Sequence, residues 1–146
     1  MKIAYYAGTF DVPHIGHACQ VEKLKEMGYS VVVSINGDDF VKANRGKAPL
    51  FDQDERAVMF EQLESVDRVV ICERFEQQEE LLISLMPDVV VLGSDWIGKD
   101  VHAQYGVPDG WFGDVGISLL FLPRAECSAS EVRDRIGDSI HCDCGG

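Results

Sequence analysis

Short apolar runs rich in β-branched residues recur along this chain, and stretches with helical spacing separate most of them. The runs cover residues 3–7, 30–35, 68–72, 89–92 and 117–122, and the helical patterns cover 16–27, 53–64, 77–86 and 130–136. Near-continuous apolar strands are buried on both faces, and strands that alternate with helices pair in parallel through crossovers. The pattern predicts an α/β fold: a five-stranded, mostly parallel sheet with helices on both faces. Punctuation agrees. Gly28 stands where a C′ glycine closes the first helix, and Asp52 with Glu55 reads as a capping box opening the second. Ser128 with Glu131 repeats that signature. The segment 95–116, rich in glycine and carrying Pro108 and Trp111, is too long for a plain connection. It is expected to be a functional loop with a short helix inside it.

A chain of 146 residues suits one domain with one core, here residues 1–137, followed by a flexible tail at 138–146. The net charge of −12 argues against a nucleic-acid backbone or an anionic membrane as partner. No apolar run has the length of a membrane span, and the first residues read as a strand rather than a signal peptide. The five cysteines are scattered and lack a paired CxxC framework, which points to a reducing, cytoplasmic setting. An anionic substrate would then need the few basic residues gathered at its site. They are gathered: Lys42, Arg45, Lys47 and Arg56 lie in one stretch, and Arg124, Arg133 and Arg135 in another.

The first strand runs into GTFDVPHIGH at residues 8–17, and a helix follows at once. Ligands of parallel α/β sheets bind at the carboxyl ends of strands, and a helix N-terminus there offers unpaired N–H groups and a positive dipole end. Gly8 and Gly16 allow the backbone to approach phosphate oxygens closely. His14 and His17, three apart, project to the same side of a first helical turn and can hold the phosphates of a triphosphate. Phosphoryl transfer needs alignment and donors aimed at developing charge, and it needs no enzyme nucleophile. The bland alternatives are a surface pair, or zinc ligation without HExxH spacing or an obvious third ligand.

Residues 8–17 resemble the HxGH signature of the nucleotidyltransferase superfamily, and the GTFD lead-in resembles its cytidylyltransferase branch. Glycerol-3-phosphate cytidylyltransferases are the most similar family. GSDWIGK at 93–99 resembles their GDDW-x-GK segment, and PRAECS at 123–128 resembles their RTEGIST signature. The resemblance implies a Rossmann-like fold, a homodimer, and transfer of CMP from CTP to a phosphorylated small alcohol such as glycerol 3-phosphate. It implies catalytic roles for His14, His17 and Lys47, and a triphosphate site along Gly8, Thr9, Phe10 and Gly16. Asp95 and Trp96 would lie near ribose and base, and Arg124 and Ser128 near the triphosphate. Arg45 and Arg56 would meet the acceptor. Mg²⁺ is expected because it accompanies triphosphates, with no metal site built from protein ligands. Two other readings remain: an adenylyltransferase using ATP, and a nucleotide-binding regulator without turnover.

Overall fold

The computed structural model describes residues 2–123. The helix expected at 130–136, the tail, Arg124 and Ser128 lie outside the described residues. Five strands form one sheet: β1 (Lys2–Gly8), β2 (Tyr29–Asn36), β3 (Arg68–Cys72), β4 (Val89–Gly93) and β5 (Ser118–Leu122). Their spatial order is β3-β2-β1-β4-β5, and every pair is parallel. The helices are α1 (Ile15–Glu26), α2 (Asp38–Arg45), α3 (Gln53–Glu61), α4 (Gln78–Leu85), α5 (Val101–Tyr105) and α6 (Trp111–Val115). No helix among the described residues is long and apolar enough to cross a membrane.

Successive side chains of a strand point to opposite faces, so each central strand feeds two cores. Ala4 and Tyr6 of β1 join Val21 and Leu24 of α1 and Phe60 of α3 in the first. Tyr5 of β1 joins Leu82 of α4, Tyr105 of α5 and Phe112 of α6 in the second. The chain runs outward from β1 to β2 and β3, then returns past β1 to β4 and β5. Strand order therefore reverses between β1 and β4, where connections leaving the carboxyl ends diverge and open a crevice.

Two stretches differ from the expectation. Residues 38–45 fold as α2, which buries only Phe40 and Val41; one apolar pair in eight residues gives too little periodicity to read. Segment 95–116 holds two short helices rather than one, and much of it is core. Val101, Tyr105, Val107 and Phe112 are each at most 7% exposed and, with Ile117 just beyond the segment, roof the second face of the sheet. Phe112 sits against Trp111, Tyr105 and His102. Replacing Phe112 by Ala should cost roughly 3–5 kcal/mol in urea unfolding. A loss within experimental error would mean that this segment does not hold the core together.

Candidate active site

The site is built on the first turn of α1. His14 is the N-cap, in extended conformation with φ −143° and ψ 176°. Its Nδ1 accepts from the Gly16 amide at 3.0 Å, and its own amide donates to His17 Nδ1 at 3.2 Å. This is a reciprocal capping box in which two imidazoles do what Ser and Glu usually do. The bonds fix a tautomer. A ring nitrogen that accepts from an amide carries no proton, so each neutral ring carries its proton on Nε2. The rings stack with centroids 3.9 Å apart and planes 23° apart, which sets two Nε2–H donors side by side at the positive end of a helix. Burial, and then the neighbouring His14, push the pKa of His17 down to about 4.

Phe10 supports this pair from below. Its ring is buried and lies against His17, Tyr6 and Phe60, with centroids 4.9, 5.2 and 4.7 Å away. That side chain therefore belongs to the core, and only the Phe10 backbone is left to line a triphosphate. Its φ of 48° is in the left-handed region, a strain of about 1–3 kcal/mol that the packing offsets. The same ring explains Gly8, where an added Cβ would lie 2.9 Å from the Phe10 ring. Thr9 is held at both ends: its carbonyl accepts from Arg56 at 2.7 Å and its Oγ1 from Asn36 Nδ2 at 3.3 Å.

Arg56 corrects the sequence reading. Expected at the acceptor's phosphate, it is 0% exposed and bound to the protein on every side. Nε donates to the Phe51 carbonyl, one terminal nitrogen to the carbonyls of Thr9 and Asn36, and the other to the Asp38 carboxylate at 2.8 Å. A guanidinium with its donors so taken positions the loops around the site rather than binding substrate.

The remaining expected residues fall on both sides of the α1 N-terminus. Asp11 accepts from the Leu50 amide at 2.6 Å and pairs with Arg45 at 3.5 Å, tying the 45–50 stretch to the histidine loop. Arg45 is thereby partly neutralised. Lys47 is exposed in that stretch, just beyond Gly46, the left-handed glycine that ends α2. Across the sheet, Asp95 and Trp96 occupy a 3₁₀ turn directly after β4, with the Lys99 ammonium 5.4 Å from the centre of the Trp96 ring. Among the described residues the sequence reading missed Asn36, which steadies Thr9, and Gln78, buried at the start of α4. Both are neutral amides, and neither charge nor spacing marks them.

The family model described as cytidylyltransferase-like matches residues 5–135. The bifunctional protein HldE of Aliarcobacter butzleri is 40% identical over 104 residues, covering 70% of this chain and 22% of that protein. HldE of Helicobacter pylori strain P12 is 37% identical over 101 residues, or 68% of this chain and 22% of that protein. The chain thus spans about a fifth of the length of the curated relatives it matches. Among solved structures, a lipopolysaccharide core biosynthesis protein from Thermoplasma volcanium superposes with a TM-score of 0.67 at 26% identity, covering 88% of this chain and 99% of that one. Thermotoga maritima TmcAL, at 12% identity and a TM-score of 0.62 over 93% of this chain and 50% of that one, shares the fold alone.

The depressed pKa of His17 predicts a stability trend with a definite sign. An unfolded histidine takes its proton near pH 6.5, whereas folded His17 resists it down to about 4. Between those values the unfolded chain binds more protons, so the contribution is complete above pH 6.5 and is lost as pH falls towards 4. Urea unfolding at pH 7 and pH 4.5 should show wild type losing more stability than His17→Gln. Equal losses would show that His17 titrates normally in the fold.

Proposed function

The chain belongs to the cytidylyltransferase-like family of nucleotidyltransferases, and on that premise we propose that it transfers an NMP group from an NTP to the phosphate of a phosphorylated sugar. The histidine capping box at the carboxyl end of β1 is the observation that carries this reading. A triphosphate laid on the α1 N-terminus would meet the positive end of the helix dipole and two Nε2–H donors. An oxygen of the acceptor's phosphate attacks the α-phosphorus, and the bond to the bridging oxygen breaks. Pyrophosphate leaves with that electron pair while the imidazoles offset the charge it gains. The product is a phosphoanhydride, and no covalent enzyme intermediate forms.

A sugar phosphate is preferred to glycerol 3-phosphate because the 26%-identical neighbour is described as a lipopolysaccharide core biosynthesis protein. For the donor, the GTFD lead-in favours CTP. ATP is the second reading, because residues 124–130 read RAECSAS without the threonine and glycine of RTEGIST. Mg²⁺ would enter with the triphosphate. The acidic side chain of the histidine loop, Asp11, is already committed to Arg45 and Leu50, so phosphate oxygens and water would hold the ion. The homodimer implied by the resemblance is open to light scattering.

Pyrophosphate release should appear with ATP or CTP, Mg²⁺ and a sugar 1-phosphate together, and not when the acceptor is omitted. Tight NTP binding without release would leave the regulator reading instead. The histidines allow a cleaner test than alanine does, because alanine also removes a cap worth about 1 kcal/mol. His14→Asn keeps a favoured N-cap, and His17→Gln keeps a capping-box partner. Both variants should melt within a few degrees of wild type yet lose roughly 10²–10³-fold in kcat. A well-folded His17→Gln protein with near-normal kcat would sink the mechanism.

A further inference from the structure

The crevice between the carboxyl ends of β1 and β4 has a chemistry of its own. It measures about 110 Å³ and is bordered by Gly8, Asn36, Gln78, Gly93, Trp96 and Gln104. No charged side chain lines it among the described residues, so it is not built for phosphate. Three side-chain amides beside aromatic rings match a ligand with alternating hydroxyls and C–H faces, since an amide both donates and accepts. Gln78 is 6% exposed. Its Nε2 donates to the carbonyls of Phe75 and Gln104, at 3.2 and 3.3 Å. Both amide hydrogens are therefore spent and the orientation of the group is fixed. Its Oε1 accepts no bond from the described residues and remains for the crevice.

We infer that this crevice binds the ring hydroxyls of the acceptor sugar, with Gln78 as the residue that selects for them. The inference rests on the nucleotidyl-transfer reading. Ring hydroxyls could also come from the donor's ribose, but the in-line requirement favours the acceptor. The leaving pyrophosphate lies at α1, which packs on the first face of the sheet. The attacking oxygen must approach the α-phosphorus from the opposite side. The crevice opens there, beside α4 and the 95–116 segment of the second face. Gly8 borders the crevice and also begins the histidine loop, so a sugar held here would carry its phosphate across Gly8 towards the donor.

The test measures KM for each substrate in wild type, Gln78→Leu and Gln104→Ala. The probes are ATP and CTP as donors, with glucose 1-phosphate, mannose 1-phosphate and glycerol 3-phosphate as acceptors. Wild type should favour a hexose phosphate over glycerol 3-phosphate by at least about tenfold in kcat/KM, the worth of one net hydrogen bond. Gln78→Leu should raise the hexose phosphate KM about tenfold while the NTP KM stays put. Gln104→Ala, an exposed position, should do the same to a smaller degree and covers the case in which Gln78→Leu fails to fold. A rise in the NTP KM instead assigns the crevice to ribose and overturns the inference, as does equal or better use of glycerol 3-phosphate. If no pair releases pyrophosphate, melting with hexose phosphate alone separates the two ideas. A raised Tm that Gln78→Leu or Gln104→Ala abolishes keeps the crevice assignment and sinks transfer; no shift sinks both.

Discussion

The guanidinium of Arg56 carries a permanent charge to a place with no solvent contact, and the geometry of the site follows from how that charge is satisfied. An unpaired buried charge is too costly to persist, so fixed acceptors must surround it. Here they come from the loop after β1, the last residue of β2, the first residue of α2 and the turn before α3. Four separate pieces of chain are thus required at one point. Asp38 is more than a third exposed, so water weakens the ion pair and the three carbonyls supply much of the compensation. The same contacts close the carboxyl end of the sheet around Thr9, one residue beyond β1. The loop after β1 is thus held through the Thr9 carbonyl as well as through the side chains of Thr9 and Asp11.

That arrangement leaves the histidines to serve structure and chemistry with different atoms. Nδ1 of each ring closes the α1 cap, and Nε2–H of each ring is left to a ligand. On the proposed mechanism capping would also preorganise catalysis, because a ring free to turn would present the wrong nitrogen part of the time. Burial against Phe10 and Phe60 keeps His17 neutral at physiological pH, which preserves the acceptor role of its Nδ1. A doubly protonated ring could not accept the His14 amide, and the cap would open. The strained φ of Phe10 is part of the same design: a relaxed backbone there would take its ring away from His17.

The sheet was legible in the sequence because burial on both faces leaves long apolar runs, and all five strands fall within two residues of their expected limits. The cap at Asp52 and the C′ glycine after α1 were legible because each needs one particular residue type at one position. What escaped was set by distant parts of the chain. Arg56 looks like any helical arginine; only folding shows that the ends of two strands converge on it. The 95–116 segment looks like a loop because its buried residues are spread among glycines, and their common face exists only against β4 and β5. Asn36 and Gln78 carry no charge or metal-binding character, so nothing in their spacing separates them from surface amides. His14 and His17 stood out, yet the capping role they share with their chemistry depends on the N-cap torsion of His14.

Charge imposes the last constraint. A protein with a net charge of −12 would repel the proposed triphosphate and sugar phosphate at long range, so attraction would have to be made locally. Of the basic residues in the 42–56 stretch, Arg56 is held within the fold and Arg45 pairs with Asp11 at the surface. Lys42 and Lys47 are exposed, Lys47 in the stretch that Asp11 ties to the histidine loop. Exposed ammonium groups are strongly screened at physiological salt, so they suit capture of an anion better than its precise placement. On the proposed reading, placement would fall to groups that carry partial charge and do not move: the α1 dipole, the two Nε2–H donors and the backbone around Gly8. This division has a chemical merit. Fixed dipoles need no reorganisation as charge shifts from the attacking oxygen to the leaving pyrophosphate, whereas a mobile lysine would have to follow it.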